Sequence, residues 1–181
     1  MPEEGLNFSK KSQILSFEEM ERLIVILAKL GISKVRITGG EPFVRKDLIP
    51  FMKTVSGIEG IDKLSITTNG TGPLTQIAEM KAMGIYAVNL SLDCLDRDRF
   101  HKITRRDEFD QVMTYYRALL DADINTKINA VVMQDHNLDD IIPICELTKL
   151  DKVSVRFIEE MPFNGGSKGY TPIEWNHNKI L

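Results

Sequence analysis

Five segments of the sequence, Lys34–Thr38, Lys63–Thr68, Tyr86–Asp93, Asn125–Met133 and Lys152–Ile158, alternate polar with apolar residues, and helical patterns separate them. Side chains on a strand point to opposite faces in turn. One face then carries Val35 and Ile37; Leu64 and Ile66; Val88, Leu90 and Leu92; Ile128 and Ala130; Val153, Val155 and Phe157. The other carries Arg36 and Thr38; Ser65 and Thr67; Asn89, Ser91 and Asp93; Lys127 and Asn129; Ser154 and Arg156. A strand-then-helix repeat builds an α/β fold with a parallel sheet. Parallel sheets are normally covered on both faces, yet only one face here is apolar enough to lie under helices. The pattern predicts a wide or incomplete barrel whose polar lumen holds a polar ligand, since a polar interior without partners is costly.

The helix signals are local. Ser16-Phe17-Glu18-Glu19 reads as a capping box opening a helix with Met20, Leu23, Ile24 and Leu27 on one face, stopped at Gly31. Asp47 reads as the cap of a helix carrying Leu48, Phe51, Met52 and Val55. Leu74, Ile77 and Met80 mark a third helix, ending at Gly84, and Phe109 to Leu120 a long amphipathic one. Asn137 reads as the start of a helix with Ile141, Ile144, Cys145 and Leu147 inside. After the fifth strand come a glycine-rich stretch, Asn164 to Gly169, and a helix-start signal at Thr171-Pro172. The chain opens with a loop and a helix where a (β/α) chain normally opens with a strand.

The 181 residues fit one domain, with a core over 14–161 and a terminal segment over 162–181. A net charge of −3 gives no bulk attraction to nucleic acid or to an anionic membrane. No apolar run approaches the ~20 residues of a membrane span, and Met1-Pro2-Glu3-Glu4 lacks the basic start of a secretory signal. Cys94 and Cys145 are the only cysteines, too far apart for a disulfide framework or metal-type spacing. These observations predict a cytoplasmic protein. Cys94 reads as a small buried thiol.

Ligands of such folds sit at the C-terminal ends of the strands, where Thr38, Gly39, Gly40, Thr67, Ser91 and Glu159 to Met161 fall. Gly39-Gly40 admits a close backbone approach. No phosphate-binding glycine loop is present, so phosphates would be met by the inward-facing cations Arg36, Lys127 and Arg156. Either an anionic ligand or the carboxylates of Glu41 and Asp93 must balance them.

Arg36-Ile37-Thr38-Gly39-Gly40-Glu41-Pro42, Thr67-Thr68-Asn69-Gly70 and Asn89-Leu90-Ser91-Leu92-Asp93 resemble the strand ends of radical S-adenosylmethionine enzymes. Together with Val155 to Pro162 and the opening Met1 to Gly5, they are most similar to the GTP 3′,8-cyclases of molybdenum cofactor biosynthesis, over nearly the whole chain. The resemblance implies a partial TIM-type barrel lacking the first strand. It implies S-adenosylmethionine lying across the strand ends on a [4Fe-4S] cluster, contacted by Gly40, Ser91 and Met161. It implies GTP contacts at Arg36, Thr67 and Lys127. The family's C-x-x-x-C-x-x-C loop would stand directly before Met1, and its C-terminal cysteines have no counterpart in this sequence. Since thiolates hold such clusters, the 181 residues alone are expected to be inactive. The alternatives are a cluster-less nucleotide or S-adenosylmethionine binding module and a different radical enzyme. Self-association through the open edge of the first strand, as a homodimer for example, is a further expectation.

Overall fold

The computed structural model describes residues 13–160. Ser16 caps helix α1 (Phe17–Lys29), accepting from Glu19 N while the Glu19 carboxylate accepts from Ser16 N. The chain then runs β1 (Lys34–Ile37), α2 (Leu48–Ser56), β2 (Lys63–Thr68), α3 (Thr75–Ala82), β3 (Ala87–Ser91), α4 (Arg97–Thr104), α5 (Phe109–Asp121), β4 (Thr126–Val132), α6 (Ile141–Leu150) and β5 (Val153–Glu159). Short 3-10 turns at Pro42–Val44 and Leu138–Asp140 follow β1 and precede α6. No helix among the described residues is long and apolar enough to cross a membrane.

The five strands pair in sequence order, all parallel. An order without reversal, wound with one hand, lays every crossover helix on the same face. That is how a (β/α) barrel is wound, whereas a doubly wound sheet reverses its order part-way. The fold is therefore a partial barrel of parallel βα units, as the alternation predicts. Met52, Val55, Ile66, Met80, Val88, Leu90, Leu119, Ile128 and Ile144 form its fully buried core between strands and helices. Removing a large apolar side chain from such a core costs about 2–5 kcal/mol.

The structure corrects several local expectations. Asp47 does not cap α2: its φ is 61°, and its side chain makes no cap hydrogen bond. The Asn137 carboxamide does not cap the turn that follows it. It crosses to the strand ends instead, donating to Asp93 O and Val131 O (both 2.7 Å) and accepting from Met133 N (2.8 Å). Helix α4 carries too few apolar residues to show a helical period, because only Phe100 is buried. Its Asp96 cap, accepting from Arg99 N at 2.9 Å, was its available signal.

Helix α1 is the least buried of the helices among the described residues. None of its residues is fully buried, and Leu23, Ile26, Leu27 and Leu30 are between 45% and 76% exposed. Stacking of Phe17 on Phe51, with centroids 4.4 Å apart, holds it to α2, and Arg45 over the Phe17 ring ties it to the segment before α2. An apolar groove of about 320 Å³ remains between α1 and β1.

Cys94 is buried, as expected, at 1% exposure. Burial first, and the nearby Asp140 charge second, push its thiol up to about 12. Only the thiolate reacts. In the native chain at pH 8 we expect one thiol, half-buried Cys145, to react with a disulfide reagent, and both to react after denaturation. Two equally fast thiols in the native state would contradict this. The native thiol keeps its proton above pH 9.0, where an ordinary thiol loses it, so this group's stabilising contribution falls as pH rises from about 9 towards 12.

Candidate functional site

The strand registers place the polar residues in rows across one face. Lys34 lies beside Lys63 at the foot, and Arg36 beside Ser65 and then Ala87. Thr67, Asn89, Lys127 and Ser154 form the next row, and Ser91, Asn129 and Arg156 the row nearest the strand ends. The sequence-predicted residues Arg36, Thr67, Ser91 and Lys127 thus lie on one face of one sheet, and Gly40 lies in the loop leaving β1. Met161 lies outside the described residues. A cavity of about 460 Å³ opens elsewhere, at Leu120, Asp123, Leu150 and Lys152 by the N-terminal ends of β4 and β5. It holds none of the strand-end residues, so volume alone does not mark this site.

The Gly39-Gly40 loop is held from below. Gly39 has φ 152°, a backbone that side chains rarely adopt, while a Cβ on Gly40 would meet nothing within 4 Å. The Glu41 carboxylate fixes the loop against β2: it accepts from Thr68 Oγ1 at 2.8 Å, Asn69 N at 2.7 Å and Phe43 N at 3.2 Å. Phe43 then packs on the next loop so tightly that a Cβ at Gly72 would lie 2.6 Å from its ring. Glu41 therefore ties the ends of β1 and β2 together and is not the counter-ion of the lumen cations.

Asp93 is not that counter-ion either. Its Oδ1 accepts from Val131 N at 2.8 Å, and burial raises its pKa against the lowering effect of that bond. Beyond Ser91 and Asn129, the Asp93 carboxylate and the Asn137 carboxamide join the ends of β3 and β4. Ser91 stands exposed at the rim beside this bridge.

Arg156 donates from Nη1 to Asn89 Oδ1 at 3.2 Å, reaching across β4 to β3, and Asn89 Nδ2 donates to Ile66 O at 3.2 Å. Asn129 Oδ1, in the top row between Ser91 and Arg156, is buried without a hydrogen-bond partner. A buried acceptor left unpaired costs about 1–3 kcal/mol, so a ligand donor there would be rewarded. The alternation showed that Asn129 faces inward, but an orphaned atom is visible only in three dimensions. Among the described residues, no carboxylate forms an ion pair with Lys34, Arg36, Lys63 or Lys127. The face is a polar, cationic surface under-supplied with anions.

The chain is similar to known proteins over most of its length. A GTP 3′,8-cyclase of Heliobacterium modesticaldum is 44% identical over 171 residues, which cover 94% of this chain and 52% of that protein. The human molybdenum cofactor biosynthesis protein 1 is 35% identical over 182 residues, 100% of this chain and 28% of the relative. The chain thus spans about half the length, or less, of these relatives. The crystal structure of Streptococcus suis SuiB bound to S-adenosylmethionine superposes with a TM-score of 0.69 at 20% identity, over 82% of this chain and 35% of that one. Methylornithine synthase shares the fold at a TM-score of 0.65 and 16% identity, over 82% of this chain and 45% of its own. The sequence pattern of the radical SAM superfamily matches residues 2–148, and with the sheet, the Gly39-Gly40 loop and the polar strand rows already in view, this chain belongs to that superfamily.

Proposed function

We propose that this chain is the nucleotide-holding region of a GTP 3′,8-cyclase of molybdenum cofactor biosynthesis, with GTP and S-adenosylmethionine sharing the polar face. The observation that carries the reading is the run of cations along that face with no carboxylate ion-paired to Lys34, Arg36, Lys63 or Lys127 among the described residues. Lys34 and Arg36 are exposed and Lys63 and Lys127 half-buried, so the face acts as a patch of unpaired positive charge that attracts phosphates. Arg36, Thr67 and Lys127 are the GTP contacts, and positioning the triphosphate is their task. Gly40 and Ser91 sit where S-adenosylmethionine would cross the strand ends, and the orphaned Asn129 Oδ1 beside Ser91 suits a donor from that ligand. Met161 completes the set by resemblance to the family.

S-adenosylmethionine thus fits the residues present; a [4Fe-4S] cluster does not. The sequence contains two cysteines. Cys94 is buried against Asp96 O at 3.6 Å, and Cys145 stands on α6. No group of three or more metal-type ligands exists among the described residues. These residues bind and orient, and the 181 residues by themselves are read as inactive. The two thiols outside any disulfide-type spacing suit a reducing cytoplasm. The exposed apolar residues of α1, and β1 at the edge of the sheet among the described residues, favour a homodimer.

Isothermal titration of the full chain tests the reading. GTP is expected to bind, with Lys127→Ala weakening it about tenfold or more, the loss of one charge-assisted contact. A folded Lys127→Ala chain that binds GTP as the parent does, or a parent that binds none, would refute the lumen assignment. The binding-module alternative predicts the same affinities, so it separates only on turnover.

A further inference from the structure

Three cations gather at the foot of the polar face, away from the strand ends. Lys34 and Lys63 are direct neighbours in register. Lys127 belongs to a higher row on the same face. Tyr86 stands just before β3, and its ring meets the Lys63 ammonium at 4.5 Å from the centroid and the Lys127 ammonium at 5.8 Å. Lys63 beside it, with Lys127 and Lys34 further out, holds the Tyr86 phenol below its ordinary range.

The bland account is three solvated lysines. It suits Lys34, which is exposed, better than Lys63 and Lys127, which are both half-buried. Long side chains freely solvated at a surface would spread apart, because like charges repel and nothing holds them. Here two of them converge on one aromatic ring that is itself 40% exposed. A cation over a ring gains about 0.5–1 kcal/mol at an open site, enough to favour the orientation of both ammoniums towards the ring. It leaves their charge uncompensated, since none of the three lysines forms an ion pair with a described carboxylate. About 13 Å of strand separates the Lys63 row from the Thr67 row, at roughly 3.3 Å per residue. An extended anion reaching down from the strand ends would end here.

We propose that Lys63 and Tyr86 build a polyphosphate subsite at the foot of the lumen: the Lys63 ammonium contacts the far end of a phosphate chain, and Tyr86 is a positioning residue that aims Lys63 and Lys127 at it. The proposal rests on the reading that a nucleoside triphosphate occupies the polar face, and adds two residues and a depth to it.

The test is equilibrium binding of GTP, guanosine and inorganic tripolyphosphate to the full chain and to Lys63→Ala, Tyr86→Phe and Tyr86→Leu, each first checked for native circular dichroism. Lys63→Ala is expected to weaken GTP and tripolyphosphate about tenfold and to leave guanosine unchanged. Tyr86→Leu is expected to weaken both phosphates at least threefold, while Tyr86→Phe, which keeps the ring, restores them to near the parent values. A purely structural role of Tyr86 would move guanosine as well. Tripolyphosphate binding that depends on Lys63 without any GTP binding would keep the subsite and sink the nucleotide reading. GTP binding indifferent to Lys63 would sink the subsite and keep that reading. A folded parent chain that binds neither phosphate overturns both. Should Lys63→Ala fail to fold, Lys63→Gln carries the same expectation.

Discussion

Glu41→Ala is expected to destabilise the chain by about 2–4 kcal/mol, a drop of roughly 5–15 °C in the thermal midpoint at the size of this domain. The carboxylate accepts three hydrogen bonds, from Thr68 Oγ1, Asn69 N and Phe43 N. A hydrogen bond to a charged group is worth about 1.5–3 kcal/mol, and the three do not add in full because Glu41 is only half-buried and water replaces part of what is lost. Glu41→Gln should fall between, because its amide nitrogen would confront one of these donors. The larger consequence is functional. Glu41 spans from the glycine loop to residues 27 and 28 positions later in the chain, so its loss frees the backbone at Gly39-Gly40. Affinity for S-adenosylmethionine is then expected to fall more than tenfold in a chain still folded by circular dichroism. A Glu41→Ala chain that melts with the parent would show that the carboxylate is not a clamp.

Asp140→Ala is expected to cost about 3 kcal/mol. Asp140 is 1% exposed. Its oxygens accept from Leu95 N at 2.9 Å, from Arg99 Nε at 2.7 Å and from Arg99 Nη2 at 3.2 Å. Removing one partner of a buried pair costs about 3–5 kcal/mol, and the lower end applies because the Arg99 side chain is 34% exposed and water can reach it. Asp140→Asn keeps an acceptor for Leu95 N and should lose about half as much. The Asp140 charge also raises the Cys94 pKa, so Asp140→Ala should make Cys94 label faster than in the parent. A midpoint within a degree of the parent, with Cys94 still inert, would contradict both arguments.

Much of this architecture was legible in the residues. The alternation of the five strands is a local property: one residue flips the face, and apolar positions must meet the helices. It correctly gave the strand set and the polar face of Arg36, Thr67, Ser91 and Lys127. The capping box at Ser16 is equally local, with its partner three residues away. Helix α4 escaped because it lies mostly exposed and has no apolar stripe to betray it.

The period of each element and the chemistry of each face were thus readable from the residues, because both follow from neighbours a few positions apart. The tertiary structure alone decided the partnerships. Glu41 and Asp93 read as counter-ions because charge is visible in a sequence and direction is not. In the fold, each carboxylate turns to backbone amides of another strand or loop. The same holds for Asn129, whose unpaired oxygen depends on what stands around it. It holds too for Tyr86, which gains Lys63 and Lys127 from positions 23 residues before it and 41 after. Parallel pairing brings such residues together across whole βα units, and no local rule fixes where a long polar side chain finds its partner.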